Sequence, residues 1–375
     1  MSIRERSWES GGKTRSKWVV DYKDQSGKRR LKTFRTKTEA TSWWTKAGYE
    51  VKQGTHTADS ASITVAEAAD HWIDRAELEG REESTVQQYR QHTDLHIKPL
   101  LGNEKLSRLT QPRVEQFRDD LLKTRSRALA KKILTSMKGV LKEAKRRGYV
   151  AQNVAADVAI KMQSRHDEKL KIGRDIPTKE EAKTLIVAAP EDWKAFMLMA
   201  VFTGMRASEL RGLRWDEVDF KHRTVTVSQR ADRFGKIGSV KSGAGYRDIP
   251  IPDEVVKPLM EWKLRCPKGE NNLVFPNGRG NVEYLSNITV RFLAPVQIAC
   301  GIVRDADETK AKYGIHAFRH FYASWLIDQG FAPKRVQDRM GHSSIVVTLD
   351  IYGHLFPDTD SDREKFDAAA SALLA

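Results

Sequence analysis

One stretch of this chain, Trp193 to Phe202, is apolar nearly all the way round a helix, and it restricts the fold more than any other segment. A helix without a polar face has to lie inside a core that other elements build around it. The longest apolar run, Ala195 to Thr203, is far short of the roughly 20 residues that a membrane span needs. The helix is expected to end at Thr203-Gly204, where the glycine permits a turn, and a new one to begin near Ala207. Arg206 then sits at a helix start, where its guanidinium and the nearby backbone amides can face an anion.

Four more polar residues downstream belong with Arg206. His316 and Arg319 lie in His316-Ala317-Phe318-Arg319-His320, His342 follows Gly341, and Tyr352 precedes Gly353-His354. Two guanidiniums, two imidazoles and a phenol suit attack on a phosphodiester by a tyrosine, with no metal. Arginine stays charged at working pH and its planar fork matches phosphate oxygens in pairs, while imidazole can carry a proton near neutrality. A phenol, with its pKa near 10, needs cationic neighbours or a base before it can attack. His316 and His320, one helical turn apart, have a spacing that could also hold a metal. The interposed Arg319 would be repelled by a cation, and no carboxylate or cysteine completes a ligand set. Tyr322 is the rival nucleophile, but it lies one turn into what reads as a packed helix.

At 375 residues the chain is expected to form two or three domains. A formal charge of +15 and a pI near 9.6 point to a polyanionic partner. The basic residues are interleaved with nine tryptophans and nine tyrosines, which fits a folded DNA-binding body better than a basic tail. Cys266 and Cys300 are too few for a disulfide framework and lack metal-ligand spacing, so a reducing cytoplasm is the expected compartment. Met1-Ser2-Ile3-Arg4-Glu5-Arg6 leads into polar sequence with no signal-peptide pattern, and a soluble protein is expected.

Residues 1–60 read as a small β-rich module. Trp18, Val20 and Tyr22 alternate along one strand, Ser26-Gly27 turns the chain, Leu31 to Phe34 forms a second strand, and Thr38 caps a helix with Trp43 and Trp44. Residues 63–160 read as all helix. Thr64 and Glu67 make a capping box, Ser84 opens a helix that stops before Pro99, and Thr110 with Pro112 opens another. Ile133, Leu134, Met137, Val140, Leu141 and Ala144 then line one face of a helix ending at Gly148. Residues 161–176 are polar and read as a linker, and Thr178 with Glu181 opens a third domain over 177–375. There, Thr224 to Val227 and Arg247 to Pro252 pair as strands around a glycine-rich connection holding Lys236 and Lys241. Basic clusters at Arg29, Arg30 and Lys32, and at Lys131, Lys132, Lys138 and Lys142, are either solvated faces or DNA contacts.

Arg206-Ala207-Ser208-Glu209, His316-Ala317-Phe318-Arg319-His320, Gly341-His342 and Tyr352, in this order, resemble the tyrosine recombinase (phage integrase) family. The resemblance covers nearly the whole chain and is strongest from about Asp175 to Leu355. It implies a multidomain, mainly α protein: a small β-rich N-terminal domain gripping accessory "arm" DNA, a helical (SAM-like) core-binding domain, and a mixed α+β catalytic domain. It makes Tyr352 the nucleophile, Arg206, Arg319 and His342 the phosphate's partners, and His316 an acid-base group. Lys241 would be the leaving-group acid with Lys236 as alternative, and Glu209 and His320 supporting residues. It further implies double-stranded attachment-site DNA as substrate, four protomers on DNA, accessory DNA-bending or directionality proteins, and no cofactor. The tail beyond Tyr352, with Phe366, Ala368 and Leu373-Leu374, can pack either in cis or on a neighbour. A chromosome-dimer resolvase or a type IB topoisomerase would share this chemistry, and a non-catalytic DNA-binding regulator would share the charge.

Overall fold

The structure, a computed structural model, describes residues 2–11, 13–24, 27–54, 56, 58–59, 62–161, 169–240, 243–356 and 362–374. The chain forms two compact units, Met1–Arg165 and His166–Ala375. The linker stretch 162–168, Ser26 and Lys241 lie outside the described residues. Among the described residues, no helix is long and apolar enough to cross a membrane.

The first unit opens with a three-stranded antiparallel meander, β1 (Ser2–Ser10), β2 (Lys13–Lys23) and β3 (Arg29–Phe34), followed by α1 (Lys37–Lys52). Val20, Tyr22 and Ala40 are buried between sheet and helix, with Trp18, Phe34, Trp43 and Trp44 packed around them. Strand β1 escapes a reading of the sequence because its residues are almost all exposed, so no apolar alternation marks it. The cap of α1 is Thr36, not Thr38. The Thr36 hydroxyl accepts from Glu39 N at 3.2 Å while the Glu39 carboxylate reaches back to Thr36 N, and this reciprocal pair starts the helix two residues earlier.

Helices α2 (Val65–Leu78), α3 (Glu83–His92), α4 (Lys98–Leu101), α5 (Gln111–Thr124) and α6 (Arg127–Arg146) complete this unit around a core of Phe117, Ile133, Met137 and Val140. The Thr64–Glu67 capping box and the Thr110 cap form as expected. Two expectations fail. Helix α3 starts at Glu83 with no side-chain cap, so Ser84 is not its cap. Nor does the helical path stop before Pro99: it widens into a π turn, Thr93–Ile97, and runs into α4 with Pro99 in its first turn. Proline is tolerated there because the first-turn N–H it lacks is not required by the helix.

The second unit builds its core around α8 (Glu191–Thr203), which follows α7 (Lys179–Ala188). Every residue from Ala195 to Val201 is buried, as the all-apolar sequence requires. Leu170 packs on this core and Ile176 is part of it, so the last residues of the polar 161–176 segment belong to this unit. After α9 (Ala207–Gly212) come β4 (Val218–Asp219), β5 (Thr224–Val227), the hairpin β6 (Gln229–Ala231) and β7 (Ile237–Ser239), and β8 (Arg247–Pro250). Strands order as β4-β5-β8, with Val225 opposite Ile249 and Val227 opposite Arg247. Helix α10 (Asp253–Arg265), α11 (Leu285–Asn287), a π turn into α12 (Ala294–Ala299), and the ribbon β9 (Val303–Arg304) and β10 (Asp307–Ala311) lead to α13 (His316–Asp328). Helices α14 (Pro333–Met340), α15 (Ile345–Tyr352) and α16 (Asp362–Leu374) end the chain. Phe366, Leu373 and Leu374 on α16 are exposed.

Candidate active site

Two left-handed glycines set up the site. Helix α8 ends at Gly204, φ 59°, and α14 ends at Gly341, φ 62°. Neither position tolerates a larger residue: a Cβ at 204 would collide with the Tyr322 ring, and one at 341 would lie 2.9 Å from both Ala244 O and Arg247 Nη1. Each turn exposes carbonyls toward the same place. Arg319, on the first turn of α13, donates to Gly204 O at 2.6 Å and to Met340 O. Arg206, at the N-cap of α9, donates to Gly341 O at 3.2 Å. Helices separated by more than a hundred residues are thereby tied together through two guanidiniums.

Glu209 aims them. Its buried carboxylate accepts from Arg206 Nη1 at 2.7 Å, from Arg206 N at 2.9 Å, and from Arg247 Nη2 at 2.8 Å. Burial alone would push this carboxyl up, but the charge and hydrogen bond of Arg247, with Arg206, hold it below the usual range. Arg247 also donates to Arg339 O at 2.8 Å and Gly245 O at 3.0 Å, pinning β8 to the end of α14. In the sequence Arg247 stands out only as the first residue of a strand, and its part in the site is set by the pairing of β8 with β5.

The guanidiniums differ in exposure. Arg206 keeps 39% of its side chain open, whereas Arg319 is 3% exposed. Burial, then the charge of Arg206, lowers Arg319 to about 9, which still leaves it charged at neutral pH. His316 and His320 stand on α13 with ring centroids 4.7 Å apart and nearly perpendicular. Partial burial and the Arg319 charge hold His316 below the ordinary imidazole value. His342 is buried, and its Nδ1 lies 2.9 Å from Thr348 Oγ1. Burial and the charges of Arg319 and Arg206 bring His342 down to about 4.

Tyr352 closes α15 and is 1% exposed, its ring 6.3 Å from His342 and nearly parallel to it. The phenol oxygen is 2.7 Å from His320 Nδ1. Burial pushes the phenol up to about 12, against the opposing pull of Arg319 and Arg206. Tyr322 is equally buried, but its ring is wedged under Gly204, and it too is pushed up to about 12 by burial.

Arg206, Glu209, His316, Arg319, His320, His342 and Tyr352 are thus joined by direct contacts or by one another's charge. Lys236 is exposed at the turn of the β6–β7 hairpin, its amide 2.9 Å from Asp232 Oδ1. Lys241, next to the buried Val240, lies outside the described residues. In the first unit Lys131, Lys132 and Lys142 project from α6, while Lys138 Nζ donates to Ala156 O at 2.8 Å. The strand register separates the N-terminal trio. Arg29 is on the open face of the sheet with Arg4, Arg6, Lys17 and Lys23, all exposed. Arg30 and Lys32 turn to the helix side, where they pair with Asp24 and Asp59 at 2.8 Å each.

Residues 177–358 match the phage integrase family, and residues 65–161 match the phage integrase central domain. The chain is 26% identical to the "tyrosine recombinase XerC-like" protein of Caldanaerobacter subterraneus subsp. tengcongensis, over 89% of this chain and 90% of that protein. It is 25% identical to the ICEBs1 integrase of Bacillus subtilis, over 72% and 74% respectively. Its fold superposes on the Tn1549 transposon integrase in complex with a circular intermediate DNA, with a TM-score of 0.64, 18% identity, and 82% of this chain and all of that one covered. A lambda integrase tetramer bound to a Holliday junction superposes with a TM-score of 0.55 at 18% identity, over 88% and 93% of the two chains.

Proposed function

The chain belongs to the phage integrase family of site-specific tyrosine recombinases and acts on DNA, and on that footing we propose that Tyr352 is its nucleophile and Arg206, Arg319 and His342 its phosphate-binding groups. The observation that carries this reading is the buried phenol set within the charge of two guanidiniums that are themselves tied to Gly204, Met340 and Gly341. A scissile phosphate beside the exposed edge of Arg206 meets fixed donors that need no rearrangement as charge builds on the non-bridging oxygens. In the tautomer whose Nδ1 accepts from Thr348, His342 keeps its Nε2–H to be one of those donors.

Attack by the Tyr352 oxygen forms a 3′-phosphotyrosyl bond and breaks the bond to the 5′ oxygen, which takes a proton from Lys241. A 5′ hydroxyl of the partner strand then attacks the phosphotyrosine and frees the tyrosine. One phosphoester replaces another of similar energy at each step, so no nucleotide is consumed. Strand exchange between two duplexes on four protomers completes the reaction, with the exposed apolar tail helix α16 available to a neighbouring protomer.

The element served is a phage or other mobile element, because a sheet-and-helix module precedes the central domain. Arg4, Arg6, Lys17, Lys23 and Arg29 on the open face of that sheet form its DNA-facing surface, and the α6 lysines contact the core site. The similarity to a XerC-like recombinase keeps a chromosome-resolving role as the second reading. The decisive test is Tyr352→Phe. It should bind core-site DNA and form no covalent protein–DNA complex on denaturing gels; a surviving adduct would remove Tyr352 from the role and leave Tyr322.

A further inference from the structure

Beyond the residues assigned to the phosphate, one group touches the reacting oxygen itself. Among the described residues, the hydrogen-bond partner of the Tyr352 hydroxyl is His320 Nδ1, at 2.7 Å. The phenol is protonated at working pH, so its O–H donates and Nδ1 accepts. This requires the neutral imidazole tautomer with hydrogen on Nε2. Helix geometry supports the contact: His320 follows Arg319 directly on α13, one turn beyond His316, whose ring stands edge-on against it.

We propose that His320 is the catalytic partner of Tyr352, aiming the phenol and accepting its proton as the tyrosine oxygen attacks phosphorus. The inference rests on Tyr352 being the nucleophile. The step balances. The Tyr352 oxygen–phosphorus bond forms, the bond from phosphorus to the 5′ oxygen breaks, the phenolic proton moves to His320 Nδ1, and the departing oxygen takes its proton from Lys241. In the return step His320 gives the proton back to the tyrosine oxygen as it leaves.

The groups facing His320 come from several elements: His316 and Arg319 on its own helix, Tyr352 on α15, His342 before it, and Asp175 in the turn preceding α7. Burial, His316 and Arg319 outweigh Asp175 in the free protein and bring His320 down to about 4, so the accepting lone pair is available at neutral pH. A bound phosphate neutralises the guanidinium charge, and Asp175 then favours the imidazolium. Asp175 is itself held in place by Lys171 N at 3.0 Å and Arg174 Nε at 2.8 Å.

The test separates a role toward the tyrosine oxygen from a role in holding up the site. His320→Ala and His320→Gln are assayed for covalent cleavage of a nicked core-site duplex, where a loss of two orders of magnitude or more is expected. The same substitutions are then placed in Tyr352→Phe protein supplied with DNA carrying a 3′-p-nitrophenyl phosphate. This mimics the phosphotyrosyl bond, but its leaving group departs without a proton. Attack by a 5′ hydroxyl strand, read as nitrophenol release, should fall no more than a few-fold. Equal losses in both assays would make His320 a structural residue and overturn the proposal, as would unimpaired cleavage in the first. An adduct formed by Tyr352→Phe alone would instead overturn the choice of nucleophile.

Discussion

Glu143 in the first unit and Glu209 in the second are each buried among arginines, and the two clusters differ in what they leave open. Glu143, 5% exposed on α6, is gripped by Arg75 and Arg146 at 2.6 Å and Arg147 at 2.7 Å. All three arginines sit at the surface, and Arg75 also pairs with Glu79. This lock joins α2 to the end of α6, in reach of salt and water. Glu209 has two arginines, of which Arg247 is as buried as the carboxylate and Arg206 is half open. A third guanidinium, Arg319, is held nearby by the backbone carbonyls of Gly204 and Met340. Here two of the three guanidiniums are buried with one carboxylate between them, and the third faces out. A buried carboxylate ringed by arginine is therefore no mark of function by itself; what matters is whether the excess charge is itself buried and where it points.

The largest expected effect breaks that comparison if it is absent. Glu209→Ala should cut covalent cleavage by two orders of magnitude or more, and should cost the second unit about 3–5 kcal/mol in urea unfolding, because Arg247 stays buried without its counter-charge. Glu143→Ala should lower the stability of the first unit while cleavage at saturating protein persists. Equal cleavage losses would show that both clusters serve the chemistry.

Next come the guanidiniums. Arg206→Ala and Arg319→Ala should each lower cleavage by about two orders of magnitude, and Arg319→Ala should lower the melting temperature more, since Arg319 is buried and holds two carbonyls where the half-open Arg206 holds one. A substrate with sulfur in place of the bridging 5′ oxygen needs no leaving-group proton. It should rescue Lys241→Ala but neither arginine variant, and rescue of Lys236→Ala instead would move the acid along the hairpin.

A smaller effect is expected with pH. His320 and His342 fall from the ordinary 6.5 to about 4 in the folded protein. Between those values the unfolded chain binds the extra protons, so their contribution is complete above about 6.5 and is lost as pH falls toward about 4. Glu209, held below its usual range, adds loss in the same direction at still lower pH. Calorimetry of the intact chain should show the second unit melting earlier at about pH 5 than at about pH 7.5, and His342→Asn should flatten the difference. A unit that gains stability on acidification would contradict the buried, neutral imidazoles.

The smallest effects belong to the N-terminal sheet. Asp21→Asn removes the partner of the exposed Arg29 and should leave stability almost unchanged, because a surface ion pair contributes little. Neutralising Arg4, Arg6, Lys17 and Arg29 together should flatten the salt dependence of binding to long sites, since fewer counterions are released, and leave cleavage of a short core duplex intact. Neutralising Arg30 and Lys32, which face the helix, should do less; the reverse order would assign the contact to the other face.

The sequence by itself determined the buried helix Ala195 to Val201, the capping boxes at Thr64 and Thr178 and the paired strands at Val225 and Ile249, and it singled out Arg206, His316, Arg319, His342 and Tyr352 as candidates that the fold brings together. Those features are local: a periodicity, a cap spacing, or a side-chain chemistry with few uses. Tertiary structure alone decided the rest. Strand β1 carries no apolar alternation and exists because β2 offers it hydrogen bonds, and the helical path passes Pro99 because a π turn and the bundle core carry it through. Arg247 joined the site because strand pairing sets it against Glu209. His320 met Tyr352 because left-handed turns at Gly330 and Gly341 bring the chain back from α13 through α14 to α15. A contact between residues 32 positions apart, or 38, depends on packing energy summed over the whole core, which no short window of sequence contains.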